Sequence, residues 1–271
     1  MKLYDCCMYF DEDLVLDLRL NILNDHVDEF IIAEATRDHA GREKKLNFDF
    51  KNFSKFKNKI NYIVVDDLPI AIKSSKKNWS EHHIRDQYQR NALSRGYKNC
   101  SDDDLIMISD IDEIPDPKKI QEFQFKNIYA CFMQKNLHLK INLLNISEKN
   151  WGGTKICQRK HLKSPQWLRS IKAKKKEFWK FYKPKEPQLI YEGGWHFNDL
   201  KNAQGILKKI KSFAHQEYNK DEFTDETKIL KRIRENKDIF DREFEYKKIE
   251  LDESFPDYIL NNKNLFKEWI I

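Results

Sequence analysis

Residues 105–108, Leu-Ile-Met-Ile, form an apolar run without polar alternation, and Ser109, Asp110, Ile111, Asp112, Glu113, Ile114 and Pro115 follow directly. A strand stays apolar at every position only where both sheet faces are covered, which is the situation of parallel strands in α/β proteins. In such sheets ligands bind at the carboxyl ends of the strands. The run therefore fixes a fold class and places two or three acids at its functional end. If the strand continues through Asp112, the i, i+2 spacing turns both Asp side chains to one side. Hard oxygen ligands grouped in this way suit Mg²⁺ or Mn²⁺, with positions left for phosphate oxygens. The same acids also suit a plain polar loop after a strand, and Pro115 and Pro117 end the extended stretch either way. The neighbouring Asp102, Asp103 and Asp104 precede the strand and read as a solvated turn.

The rest of the first half supports an α/β arrangement. Leu3 to Tyr9 reads as a strand, followed by a helix over Asp11 to Asn24 with Leu14, Leu18 and Ile22 at i, i+4 and i+8. Phe30–Ala33 and Tyr62–Val65 read as further strands. A polar helix spans Asn78 to Arg95, capped by Asn78 or Ser80 and ended by Gly96. Strand and helix in alternation imply a largely parallel sheet. Later, Ile128–Met133, Leu137–Leu144 and Leu189–Tyr191 read as strands, and helices follow from about Leu200. With no linker-like stretch, the expectation is one domain over 1–271: a nucleotide-type half (1–125), an opposing half (126–220) and a helical extension (221–271).

Charge is unevenly placed. The whole chain carries +6, yet residues 151–185 hold twelve Lys or Arg against the single acid Glu177. Trp151, Trp167, Phe178, Trp179, Phe181 and Tyr182 interleave with these cations. Such a composition suits an acceptor-binding or membrane-surface segment, with nucleic acid disfavoured for want of a recognition motif; it equally suits a solvated loop. Hydrophobic residues at 40% exclude a disordered chain. No run reaches the ~18–20 apolar residues that span a bilayer. The five cysteines lack metal-finger spacing, and an acid stands in the first residues where a signal peptide is apolar. The expectation is a soluble cytoplasmic protein, peripheral to a membrane at most.

A second cluster, Tyr191-Glu192-Gly193-Gly194-Trp195-His196-Phe197, offers a glycine turn and a histidine. His196 suits either a packed core position or the completion of a metal site begun by Asp110 and Asp112.

Taken in order, these residues resemble glycosyltransferase family 17, whose best-known members add N-acetylglucosamine to the β-mannose of N-glycans. The resemblance runs over roughly 3–218. It rests on Tyr4-Asp5-Cys6, the helix with Glu12, Asp17 and Arg19, Phe30 to Thr36, Asp38 to Phe48, Gln89-Arg90, Ser109 to Pro115 and Gly194 to Phe197. It implies a GT-A-type, Rossmann-like fold and inverting transfer from a UDP-sugar to a glycan or lipid-linked glycan, with Mn²⁺ or Mg²⁺ bridging the donor diphosphate. It assigns Asp110, Asp112 and His196 to the metal, with Asp110 also reaching ribose or a metal-bound water. Asp5, Glu34, His39, Lys45, Arg90 and Lys211 fall to the donor site. Glu192, close to His196, is the expected general base. Asn198 and Glu192 depart from the family pattern, where Ser and Asp are expected. Two rivals remain: a haloacid dehalogenase-type phosphatase with Asp110 as nucleophile, and a non-catalytic carbohydrate- or membrane-binding module. The phosphatase motif belongs after the first core strand and needs Thr or Val where Ile114 stands.

Overall fold

The computed structural model describes residues 1–70, 81–173, 186–212 and 219–271. Four parallel strands come first: β1 (Leu3–Met8), β2 (Glu29–Ala35), β3 (Ile60–Val65) and β4 (Leu105–Ser109), in the order β3-β2-β1-β4. Between them run α1 (Asp13–Leu23) and α2 (Glu81–Ala92). Alternate residues of each strand serve opposite faces. Met107, Phe30, Ile32 and Cys7 join Leu16, Leu20 and Leu23 of α1 in one core. Ile106, Ile108, Ile31, Ala33 and Cys6 join Ala92 and Leu93 in the other. Double coverage is why residues 105–108 carry no polar alternation.

Because β1 is flanked by β2 on one side and β4 on the other, the strand order reverses there, and the carboxyl ends of β1 and β4 frame a crevice.

Beyond β4 the sheet is mixed rather than parallel. Short β5 (Glu113–Pro115) leads to α3 (Pro117–Ile120), which Asp116 caps by accepting from the Lys118 amide at 2.9 Å. The long β6 (Tyr129–His138) and β7 (Leu143–Asn145) replace the two separate strands read from sequence. Then come β8 (Asn150–Gln158), α4 (Pro165–Arg169), β9 (Gln188–Ile190) and β10 (Gly194–Asn198). The C-terminal part holds α5 (Ala203–Ser212), α6 (Glu226–Arg234), β11 (Tyr246–Lys248) and α7 (Asp257–Asn261). Antiparallel β8 lies between β4 and β6, and β10 bridges β6 and β5. An expectation of a mostly parallel sheet thus holds for the first four strands only. Among the described residues no helix is long and apolar enough to cross a membrane.

The start of the basic segment is interior, which the charge count did not suggest. Residues 150–158 form β8, and Lys155 is 2% exposed, donating to the carbonyls of Gly152 (3.1 Å) and Gly153 (2.7 Å). Residues 174–185, with the densest lysines, lie outside the described residues, as do Asn78, Ser80 and Phe213 to His215. Gly96 ends the second helical stretch with an ordinary negative φ of −78°. It is needed for proximity instead: a Cβ there would meet Ile31 at 2.6 Å.

Candidate functional site

A cavity of about 720 Å³ opens at the carboxyl ends of β1 and β4. The end of β1 and the chain after it (Met8, Tyr9, Phe10), the loop after β2 (Arg37 to Lys44) and α2 contribute to its wall. The turn at 110–112, Trp151, His196 and Lys209 form its middle. Asn136 (the register partner of His196), Glu148, Phe244 and Tyr246 also line it.

The strand does not run through Asp112. It stops at Ser109, and a tight turn closes with the Glu113 amide donating to the Asp110 carbonyl at 3.1 Å. The two Asp side chains therefore have different partners. Asp110 accepts from Arg90 at 3.1 Å and from Arg169 at 2.6 Å, so both its oxygens face guanidinium groups. Burial alone would raise its pKa, but Arg169 and Arg90 overcome that and hold it well below the usual carboxylate range. Asp112 instead lies 3.7 Å from Nε2 of His196. Burial raises its pKa and His196 offsets this only in part, so its ionised form is short of partners. The Asp112 carbonyl accepts from the Phe197 amide at 2.9 Å, tying the turn to β10.

Glu113, fully buried, locks the arrangement. Its carboxylate accepts from the Trp151 indole at 2.7 Å, from Arg169 at 2.9 Å and from the Asp110 amide at 3.1 Å. Trp151 stacks on His196 with ring centroids 4.8 Å apart. His196 keeps an unpartnered buried Nδ1. Beneath the turn, Arg19 donates through one nitrogen to the carbonyls of Asp110, Ile111 and Glu113. Its other nitrogens hold Asp5 at 2.6 Å.

Of the residues expected to form the site, the structure brings Asp110, Asp112, His196, Arg90 and His39 to the cavity wall. His39, held neutral-leaning by burial, meets Gln89 at 2.9 Å. The others lie elsewhere. Asp5 is committed to Arg19 beneath the turn. Glu34 is buried and accepts from the amides of Asn47 (2.8 Å) and Phe48 (3.0 Å), from Tyr62 (2.8 Å) and from Lys44, so it secures the loop after β2. Lys45 is exposed and Lys44 lines the cavity, because successive residues of an extended chain face opposite ways. Lys211 is exposed, while Lys209 on the other flank of α5 reaches the cavity and pairs with Asp199 at 2.9 Å. Glu192 is exposed in a left-handed turn (φ 52°) and does not line the cavity.

Among the described residues no three His, Cys, Asp or Glu side chains converge as a metal cage. Asp110 already accepts from one arginine at each oxygen and would share its remaining lone pairs with a cation. Asp112 and His196 do fit a cation shared with a phosphate group, since Mg²⁺-type sites commonly take one or two protein ligands and complete the shell with water and phosphate oxygens. The undercompensated Asp112 carboxylate is the observation that favours this.

Residues 1–252 match the Glycosyltransferase family 17 sequence model. The chain belongs to glycosyltransferase family 17. Over 227 residues it is 22% identical to human β-1,4-mannosyl-glycoprotein 4-β-N-acetylglucosaminyltransferase, covering 75% of this chain and 42% of the relative. The rat and mouse proteins of the same name are each 21% identical, with 41% of their length covered. The chain therefore spans about two-fifths of the length of the curated relatives it matches. In this family member, Arg169, Trp151 and Lys209 are cavity residues that sequence reasoning did not single out. Arg169 and Trp151 did lie in the basic, aromatic stretch, but nothing local separates them from its other cations and rings.

Proposed function

We propose that this protein is an inverting glycosyltransferase that moves N-acetylglucosamine from a UDP-sugar to a hydroxyl of a glycan acceptor, with a divalent cation on Asp112 and His196. The observation that carries the reading is the partly buried, undercompensated Asp112 beside His196, at the switch point of the sheet in the cavity that Arg90 also lines. The strand order β3-β2-β1-β4, continued by antiparallel β8 and then β6, supports a GT-A-type fold. The names of the human, rat and mouse relatives support the sugar. A phosphatase reading finds no support, because family membership points elsewhere and both oxygens of Asp110 are engaged.

The chain's own contribution is electrostatic and positional. Cleaving the sugar–phosphate bond builds negative charge on the diphosphate, and preorganised donors aimed at that charge lower the barrier. The cation, when bound, supplies the main Lewis-acid share of that stabilisation. Arg90 and Arg169 are fixed by Asp86, Gln166, Asp110 and Glu113 before any substrate arrives, so they need no reorganisation. Trp151 braces the face of His196 and limits water around it. Met8, Tyr9 and Phe10, with His39 and Gln89, form the wall suited to the nucleotide.

The test is thermal stabilisation and donor hydrolysis with Mn²⁺ and a panel of nucleotide sugars. A UDP-sugar should stabilise the wild type and not Asp112→Ala. Absence of any shift with every UDP-sugar would sink the reading.

A further inference from the structure

We propose that Glu148 is the general base of the transfer, the carboxylate that takes the proton from the acceptor hydroxyl. The proposal rests on the inverting-transferase reading above and deepens it.

Seven carboxylates line the cavity: Glu12, Asp38, Asp86, Asp110, Asp112, Glu148 and Asp199. A base must offer a lone pair to an incoming proton, so a carboxylate already saturated by cations or amides is poorly suited. Glu12 accepts from the Phe10 and Asp11 amides and faces Lys201 at 3.2 Å. Asp38 is held by Arg42 at 2.7 Å, and Asp86 by Arg90 at 2.7 Å. Asp110 lies between two arginines, Asp199 is paired with Lys209 at 2.9 Å, and Asp112, beside His196, is the ligand of the proposed cation and so is not free to take a proton. Among the described residues, Glu148 alone of the seven has a carboxylate engaged in no hydrogen bond or ion pair.

Its backbone, in contrast, is fixed. The Glu148 amide donates to Asn145 Oδ1 at 3.0 Å, and its carbonyl accepts from Asn136 Nδ2 at 3.0 Å. Asn136 is the register partner of His196 across β6 and β10. Neighbouring strands lie about 4.8 Å apart. Glu148 is thereby tied through Asn136 to the strand pair that carries His196, and it lines the same cavity. A rigid peptide under an uncommitted, solvent-facing carboxylate is the arrangement a base needs to meet an acceptor that enters from solution.

The step balances. The acceptor oxygen forms its bond to the anomeric carbon while the bond from that carbon to the phosphate oxygen breaks, and the electron pair leaves on the diphosphate. The acceptor proton passes to the Glu148 carboxylate and then to solvent. The products are the inverted glycoside, UDP and one proton. Glu192, exposed and outside the cavity, has no place in this step.

The experiment compares wild type, Glu148→Gln and Glu192→Gln, with UDP-N-acetylglucosamine, Mn²⁺ and methyl β-mannoside as the acceptor probe. E148Q should keep the wild-type melting temperature and the wild-type thermal shift with UDP-N-acetylglucosamine. Its kcat for transfer should fall about 100-fold or more, and the acidic limb of its pH–rate profile should disappear. Azide, a nucleophile with no proton to lose, should react with the donor at similar rates on E148Q and wild type. E192Q should transfer as wild type does. E148Q transfer within threefold of a working wild type overturns the assignment of Glu148 alone. Wild type that neither binds UDP-N-acetylglucosamine nor transfers from it removes the underlying reading, and the proposal with it.

Discussion

Arg19 and Asp5 are both at 0% side-chain exposure and together support the turn that carries Asp110 and Asp112. Burial works against the Arg19 charge, but Asp5 outweighs it and pushes the guanidinium pKa up. In Arg19→Met the Asp5 carboxylate is left buried without its cation, which costs about 3–5 kcal/mol. For an ordinary buried pair, replacing both partners by apolar groups of similar volume returns most of that loss. Here the double variant Asp5→Leu with Arg19→Met should not recover fully. Nη1 of Arg19 also serves the carbonyls of Asp110, Ile111 and Glu113 at 3.2, 3.1 and 3.0 Å. Stranded buried acceptors cost about 1–3 kcal/mol, and with one nitrogen shared among three of them the double variant should stay lower by about that amount in total. Urea unfolding at constant m-value measures both variants. Both should also lose the Mn²⁺-dependent shift with UDP, because the turn sets Asp112 against His196. A double variant as stable as wild type, with an unchanged shift, would refute the view that Arg19 acts as a clamp on the turn.

Four further outcomes follow from the same geometry. Asp112→Asn should be at least as stable as wild type at neutral pH without cation, because burial makes the ionised carboxylate costly; a group with a raised pKa helps only at low pH, so wild type should gain on the variant as pH falls. Thermal melts across pH check this, and the Mn²⁺ shift should vanish in the variant. Asp199 has the opposite sign: burial raises its pKa, Lys209 overrides it, and the value falls to about 2. Its contribution of about 2 kcal/mol over Asp199→Asn should therefore be complete above pH ~4 and drain away as pH falls towards 2, read from unfolding free energies. Gly194→Ala should cost more than about 2 kcal/mol, since φ is +128° and a Cβ would stand 2.2 Å from the Ile114 carbonyl oxygen; melting temperature and circular dichroism report it. UDP should stabilise the protein much less in EDTA than with Mn²⁺, as measured by calorimetry.

What sequence made legible was what local periodicity encodes. The apolar run 105–108, the i, i+4 stripe of α1 and the alternation of strand and helix fixed β1 to β4, and with them the end of the sheet at which the acids stand. The partners of those acids were not legible. Arg90 and Arg169 reach Asp110 from α2 and α4, 20 and 59 residues away in the chain, and no local pattern marks that convergence. The interior strand β8 was hidden for a related reason: Lys155 makes the stretch look solvated until the Gly152 and Gly153 carbonyls are seen to receive its ammonium. Choosing Lys44 over Lys45, or Lys209 over Lys211, needed only the face each element turns inward, and that face is decided by packing rather than by propensity.

Charge gives the cavity an order of events. Its described lining holds six basic and seven acidic side chains, a formal −1 with histidines neutral, although the chain as a whole is +6. Each of those cations is already matched: Arg37 with Glu43, Lys44 with Glu34, Arg90 with Asp86 and Asp110, Arg169 with Asp110 and Glu113, Lys209 with Asp199, and Arg242 with Asp238. Such a wall has little attraction for a diphosphate by itself. The divalent cation proposed for Asp112 and His196 would turn the lining to +1 and would compensate the Asp112 carboxylate, whose ionised form burial makes costly. On the proposed reading the cation would precede the nucleotide, and Arg90 and Arg169 would stand as a preset frame for the charge that develops on the diphosphate.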